Sequence, residues 1–234
     1  IEIAEEFIRL APSLNDEIDE ALVYLICSAY RSAIRTIRKI KKVDEGVAPA
    51  TVATVAAMQW NLIIATELWN LCRDGQEICR KIQNTCGEGR RKIWFLLRLE
   101  WTDFARYEIE AAEVLNYDKK SIIARVRESY ESLSTAEFIN SLPSSDYIRL
   151  RLAINFTIFK VEYLGETSGA VSYLSSFDFE SEIPEKETIS RQVSFKEQND
   201  FDEISAWPIL PIEISRLIKK VENLRIRYSP IIGN

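Results

Sequence analysis

The chain has 234 residues with a formal net charge of −6 at pH 7, and it contains no histidine. The absence of histidine excludes His-based acid–base catalysis, Ser-His and Cys-His nucleophile pairs, and His-ligated zinc or iron. The negative charge argues against a surface that attracts nucleic acid, and the length suffices for one large or two small domains with buried cores.

Most of the chain is predicted to be helical, because apolar residues recur at helical spacing and only 7 Gly and 7 Pro interrupt them. A short helix ends near Leu10, and Asn15 caps the next one, which ends at the VDEG turn. The following helices cover approximately residues 49–86, 90–115, 119–142, 143–165, 170–177 and 212–227. The acidic, serine-rich stretch 178–211 is predicted to be a mobile loop.

The stretch AYRSAIRTIRKIKKVDEG, residues 29–46, collects positive charge in an otherwise acidic chain. On a helix, Arg31, Arg35, Arg38 and Lys42 form a single narrow stripe opposite the apolar side, here called the basic stripe. Neighbouring cations at this spacing repel one another. The basic stripe is therefore either a solvated face or a place where something anionic binds.

The segment from Val47 to Thr66 carries no charged residue and is long enough to cross a bilayer. It also contains proline, threonine, glutamine and asparagine, which make it too polar for a typical membrane span. A helix that is apolar nearly all round is buried against other protein. We therefore predict that this segment forms core and a subunit contact, with a membrane role as the alternative.

The cysteines indicate a reducing compartment, and we predict a cytoplasmic protein. Cys72, Cys79 and Cys86 recur at heptad spacing on roughly one helix face. Neighbouring thiols two turns apart would lie about 10 Å from each other along the axis, too far to share a metal ion. We predict that they are small apolar residues between helices, and we predict no metal site and no cofactor.

The predicted helix 90–115 carries a second polar face. Asp103, Arg106, Tyr107 and Glu110 share one side, and the two carboxylates exceed the charge of the single arginine. Facing the basic stripe, they would neutralise part of it and hold its arginines in place. Three guanidinium groups and a phenol would then converge, which suits a phosphate. The alternative is an interhelical salt-bridge network without a ligand.

Six stretches in chain order point to one known family. They are LICSAYRSAI, IATELWNLC, DFARYEIEAAE, DKKSIIARVRESYESL, RLRLAINFTIFKVEYL and VENLRIRYS. The sequence they form resembles the 14-3-3 proteins, dimeric all-helical adaptors for phosphoserine and phosphothreonine peptides. The most specific match is RLRLAINFTIFKVEYL, which is similar to that family's RLGLALNFSVFYYEIL.

The resemblance implies a single all-α domain over residues 1–234, including the loop 178–211 and a C-terminal tail 228–234. Its architecture would be an antiparallel bundle of about eight to nine helices that forms a concave groove. Its function would be that of a non-catalytic adaptor for phosphorylated client proteins, acting as a homodimer or a heterodimer with a related chain. No nucleic acid and no membrane is expected among its partners.

The resemblance also assigns roles to particular residues. The phosphate would bind to Arg31, Arg38, Arg106 and Tyr107, supported by Lys42, Asp103 and Glu110. The main chain of the bound peptide would be held by the amides of Asn155 and Asn223, which can donate to a carbonyl and accept from an N–H. The groove around it would be lined by Glu162, Ile154, Ile158 and Leu224.

The chain also departs from the family pattern. Arg35 stands where the family has glycine, and Leu99 and Trp101 replace basic residues. The family's first helix is largely absent, and the apolar wall expected from the last helix is altered. These departures keep a second interpretation open, in which a 14-3-3-like scaffold binds partners without phosphate or is closed by its own tail. A third interpretation is an enzyme that uses its many carboxylates.

The tail offers a phosphorylation site of its own. Ser229 follows basic residues and precedes Pro230, so phosphorylated Ser229 would resemble a ligand for the predicted groove. A tethered ligand can be weak and still compete, because its effective concentration reaches roughly millimolar. The alternative is that Ser229 simply ends the last helix. Ser194 in RQVSF is a second candidate, with less weight because Arg-x-x-Ser is common.

Overall fold

The computed structural model describes residues 16–45, 53–86, 90–143, 146–176, 219–220, 223–224 and 226–228. All regular structure in these ranges is α-helical, which confirms the predicted fold class. The helices with complete bounds are α1 Asp16–Glu45, α2 Ala53–Cys86, α3 Arg91–Leu115, α4 Lys119–Thr135, α5 Glu137–Ser141, α6 Tyr147–Leu164 and α7 Thr167–Ser175. The predicted N-terminal helix and the loop 178–211 lie outside the described residues.

The chain divides into two compact units, Ile1–Leu133 and Ser134–Asn234. In the first unit α2 packs against both α1 and α3, and α1 also contacts α3. The apolar side chains between these helices are fully buried, among them Ile34, Leu68, Ile82, Leu97 and Phe104. Cys72 and Cys79 are also completely buried, as the heptad spacing predicts.

Gly75 allows a close approach between α2 and α3. A Cβ atom added to Gly75 would lie 2.9 Å from Cδ2 and Cε2 of the Phe104 ring, closer than real side chains come. Phe104 also packs against Tyr30 of α1, and the two ring centres lie 6.0 Å apart. Phe104 therefore joins three helices of the first unit, and glycine at position 75 provides the space for it.

The segment Val47–Thr66 has both buried and exposed side chains in its described part, and its predicted subunit contact stays a prediction. Within its described part, Ile64 and Ala65 face the core, at 5% and 3% exposure. Four large apolar side chains of the same stretch, Met58, Trp60, Leu62 and Ile63, are exposed. We call these four residues the apolar row. None of the helices in the described ranges is long and apolar enough to cross a membrane.

The second unit has an apolar interior built by α6, α7 and the last helical residues. Its buried cluster contains Leu150, Ala153, Ile154, Leu174, Leu224 and Tyr228. Helix α6 ends as predicted at Gly165, which adopts a left-handed conformation with φ of 68°. Its start differs from the prediction at Pro143: the Asp146 carboxylate accepts from the Ile148 N–H at 2.8 Å, so the helix begins at Tyr147.

The helix predicted over residues 119–142 is two helices, α4 and α5. Ala136 between them has an extended backbone with ψ of 124°, although neither proline nor glycine marks the break. The last carbonyls of a helix lack partners within it. The Asn140 side-chain amide donates to one of them, the carbonyl of Ser134, at 3.4 Å and so stabilises the break.

Candidate functional site

The basic stripe on α1 contains cations in different environments. Arg31 is buried, at 7% exposure, and Arg38 is partly buried, whereas Arg35 is exposed. Lys42 belongs to α1, but its side chain lies outside the described part of the chain. The stripe is therefore not a uniformly solvated face.

Arg38 forms a two-pronged ion pair with Glu110 of α3. Its Nε donates to Oε2 at 2.9 Å, and its Nη2 lies 2.7 Å from Oε1. Burial by itself lowers the pKa of Arg38, but the hydrogen bond and the charge of Glu110 outweigh burial and raise that pKa above its ordinary value. Arg38 therefore stays protonated and is held in one orientation.

Tyr107 brings a second arginine to the same place. The guanidinium carbons of Arg38 and Arg106 both lie 4.7 Å from the centre of the Tyr107 ring. The Arg106 residue is 7% exposed and the Tyr107 side chain is partly exposed. The structure thus brings two guanidinium groups to the Tyr107 ring, one of them paired with Glu110, and we call Arg38, Arg106, Tyr107 and Glu110 the arginine–tyrosine cluster.

Arg31 is held by Glu100, a residue that the sequence analysis did not identify. Arg31 Nη1 donates to Glu100 Oε1, and the glutamate is completely buried. The guanidinium carbon of Arg31 also lies 5.3 Å from the ring centre of Tyr24. Glu100 is three residues before Asp103, so helical spacing places it on the same face and could have revealed it.

Asp103 links the cluster's helix to α4. It accepts a hydrogen bond from the Tyr130 hydroxyl at 2.6 Å, and both side chains are buried. Burial raises the pKa of Tyr130 well above its ordinary value, and the charge of Asp103 raises it further, so the phenol remains a donor. Beside this bond the hydroxyls of Thr102 and Ser129 lie 2.7 Å apart. These contacts fix α3 against α4.

A further buried carboxylate, Glu108, was also not predicted. It accepts from Gln76 Nε2 at 2.6 Å and from Arg125 Nη2 at 2.6 Å, and Arg73 Nε lies 3.9 Å away. The glutamate is completely buried, and burial raises the pKa of its carboxyl despite these donors. This group closes the interface of α2, α3 and α4.

The two departures on α3 have distinct environments. Leu99 is completely buried in the core. Trp101 is partly exposed, and its ring centre lies 4.9 Å from the guanidinium carbon of Arg98 and 5.4 Å from that of Arg125. Neither residue adds a cation to the surface, but the Trp101 ring makes cation–π contacts with the guanidinium groups of Arg98 and Arg125.

The predicted peptide-binding residues belong to the second unit. Ile154 and Leu224 lie in its buried cluster, at 2% and 8% exposure, and Ile158 packs partly buried against them. Asn155 is partly exposed, and Glu162 and Asn223 are exposed. Ile158 and Glu162 follow Asn155 by three and seven residues, so the three side chains share one face of α6. Ser194 and Ser229 lie outside the described residues.

In the described ranges, His, Cys, Asp and Glu side chains form no group that could hold a metal ion. The buried thiols do not supply a reactive group either. Burial raises the pKa values of Cys72 and Cys79 well above the ordinary value. The guanidinium and phenol groups of the cluster are hydrogen-bond donors of the kind that bind anions.

Comparison with known proteins agrees with this fold. The sequence matches the 14-3-3 protein family over residues 1–201. It is 26% identical over 174 residues to 14-3-3-like protein 1 of Caenorhabditis elegans, and the aligned part is 74% of this chain. The alignment spans 65% of that relative's length. With a family match over most of its length and an all-helical fold, this chain belongs to the 14-3-3 family.

Proposed function

We propose that the protein is a non-catalytic adaptor that binds phosphoserine and phosphothreonine peptides of client proteins. The observation that carries this proposal is the arginine–tyrosine cluster, in which Arg38 and Arg106 meet at the Tyr107 ring. A phosphate monoester carries a charge of about −2 and three acceptor oxygens. Guanidinium forks match those oxygens in pairs, and the phenol supplies a neutral donor.

The carboxylates of the site prepare it for this ligand. Glu110 holds Arg38 by two contacts, so that little side-chain freedom remains to be lost when a ligand binds. A guanidinium has five N–H donors, so an arginine bound to one carboxylate still has donors for a phosphate.

Arg31 contributes from a position farther along α1. It precedes Arg38 by seven residues, which is about 10 Å along the helix axis. Its Nη1 is engaged with buried Glu100, which fixes the guanidinium. We infer that Arg31 adds a fixed positive charge to the phosphate site and that Lys42, on the same stripe, adds another.

The amides of Asn155 and Asn223 would hold the peptide's main chain. Asn155 and Asn223 are both accessible and each can grip an extended backbone without reading its side chains. Ile158 and Glu162 would line the groove beside Asn155. Ile154 and Leu224 are core residues of the second unit, and we infer that they support the groove wall from beneath.

The partners would be phosphorylated client proteins and a second chain. The apolar row on α2 is exposed, with Met58 at 70% and Ile63 at 54%. Large apolar side chains grouped in this way mark protein contacts. We propose that they form the contact with a second copy or a related chain. Phosphorylated Ser229 would act as a competing ligand for the groove.

The test is a fluorescence-polarisation titration of one arginine-rich serine peptide, phosphorylated and unphosphorylated. The protein carries unmodified Ser229, and Arg38→Ala and Arg106→Ala variants are titrated beside it. We expect phosphate-dependent binding that weakens about 30-fold or more in either variant, because each removes a charge-assisted contact.

Arg127→Ala is the matched control. Arg127 is an exposed arginine on α4 that pairs with Glu131 at 2.8 Å, so its loss should leave peptide binding unchanged. If both peptides bind equally, or neither binds, the adaptor proposal fails. The phosphate-independent scaffold would then be the better description of this protein.

A further inference from the structure

Lys42 apart, whose side chain lies outside the described part of the chain, the charges around the proposed phosphate site balance one another. Three guanidinium groups, on Arg31, Arg38 and Arg106, are accompanied by three carboxylates, on Glu100, Asp103 and Glu110. Glu100 neutralises Arg31 and Glu110 neutralises Arg38 through direct contacts. A phosphate dianion arriving at this set therefore meets oriented donors but little net positive charge, and further cations are needed to balance it.

Arg35 supplies such a cation. It lies four residues after Arg31 and three before Arg38, so it shares their face of α1 and stands one helical turn from each. It is exposed, and it makes no ion pair with any described residue. Unlike its two neighbours on the stripe, Arg35 is therefore exposed and not engaged by a carboxylate within the described part of the chain.

We propose that Arg35 makes this site selective for phosphopeptides that carry a second anionic group two residues from the phosphoserine. The inference rests on the proposed phosphopeptide function. One turn of helix rises 5.4 Å, and two residues of extended peptide span about 6.6 Å. Residues two apart in an extended peptide also point to the same side, whereas a neighbouring residue points away.

The second anion can be a carboxylate or another phosphate, since a guanidinium fork binds either. The peptide series therefore places aspartate, asparagine or phosphoserine two residues before or two residues after a central phosphoserine. A further peptide has aspartate directly after the phosphoserine, where the side chain would face away from Arg35. All are titrated against the unaltered full chain by fluorescence polarisation.

We expect the aspartate peptide to bind about three- to fivefold more tightly than its asparagine counterpart at one of the two positions, which is what an exposed ion pair provides. The doubly phosphorylated peptide should exceed this preference because its charge is larger. In Arg35→Gln the aspartate-to-asparagine ratio should fall to about one. Adjacent aspartate should give no preference in either protein.

Lys120→Gln is the matched control, since it removes one exposed positive charge from α4 instead of α1. It should keep the full preference. Equal loss in both variants, or an equal preference for adjacent aspartate, would mean a general effect of net charge and would overturn the inference. So would phosphate-dependent binding with no aspartate preference in the unaltered chain. Failure of all phosphopeptides to bind would instead overturn the proposed function.

Discussion

The interiors of the two units differ in the kind of side chain they bury. In the first unit α3 alone buries Glu100, Asp103 and Glu108, none more than 1% exposed. In the described part of the second unit the buried charged residue is Arg151, and the cluster around Ile154 is apolar.

Buried carboxylates are costly, because water must be removed from each charge. In the first unit each of them contacts a donor from another helix: Arg31 for Glu100, Tyr130 for Asp103 and Arg125 for Glu108. Such contacts fix the relative positions of helices and the orientation of cations. The comparison shows that buried contacts orient charged side chains in the first unit, whereas the cluster around Ile154 in the second unit is held by apolar packing.

The strongest test of this comparison removes a buried acid. Glu100→Leu should lower the free energy of unfolding by about 3–5 kcal/mol, because the buried guanidinium of Arg31 loses the charge that offsets it. Urea denaturation measures the change. Glu110→Leu is the control, since the Arg38–Glu110 side chains are 29% and 24% exposed and the loss should stay below about 1 kcal/mol. Similar losses in both variants would contradict the claim that burial makes Glu100 more important for stability than Glu110.

The apolar counterpart is Ile154→Ala in the second unit. We expect a loss of about 2–5 kcal/mol, the range for truncating a buried aliphatic side chain. Ile158→Ala, on the rim of the same cluster, should cost less than half as much. Urea denaturation at low and high ionic strength should give the same loss for Ile154→Ala. A larger loss for Ile158→Ala would mean that Ile154 is not the core residue.

A smaller effect should appear in the pH dependence of stability. Burial raises the pKa of Glu108 above its ordinary 4.5. At a pH between 4.5 and the raised pKa, the folded chain therefore holds a proton that the unfolded chain has released. This group's contribution to stability therefore falls as pH rises from 4.5 through the raised pKa. Glu108→Gln removes this dependence and should gain stability relative to the unaltered chain across that window, by about 1.4 kcal/mol per pKa unit.

Urea denaturation at several pH values from 4.5 to about 7.5 measures this difference. Ile154→Ala is the control, because it removes no titratable group, and its difference from the unaltered chain should stay constant. Parallel curves for Glu108→Gln and the unaltered chain would show that burial does not raise the pKa of Glu108.

Helical periodicity is visible in the sequence, and it predicts most of the helices and the residues that share a helix face. It places Asp103, Arg106, Tyr107 and Glu110 on one face, because positions within a single helix are fixed by the 3.6-residue repeat. The pairing of Arg31 with Glu100 could not be predicted in the same way. It depends on how far α1 is shifted along α3, which is set by packing between helices and not by either sequence segment alone.

Helix ends show the same limit. Gly165 ends α6 because the left-handed backbone conformation at this position favours glycine. This preference is a local property of the chain and can be predicted from the sequence. Ala136 breaks the predicted helix without any local signal, and its break is supported by a bond from Asn140 to Ser134. The exposure of the apolar row likewise depends on which side of α2 meets its neighbours, information that composition does not contain.

The contact between Gly75 and Phe104 has an evolutionary consequence. No side chain fits at position 75 while a phenylalanine ring occupies the space opposite. Glycine inside a helix costs about 1 kcal/mol relative to alanine, so selection for helix stability alone would favour its replacement. Substitutions at the two positions should therefore be correlated among descendants of this chain: a larger residue at 75 is expected only in lineages where position 104 has already become smaller.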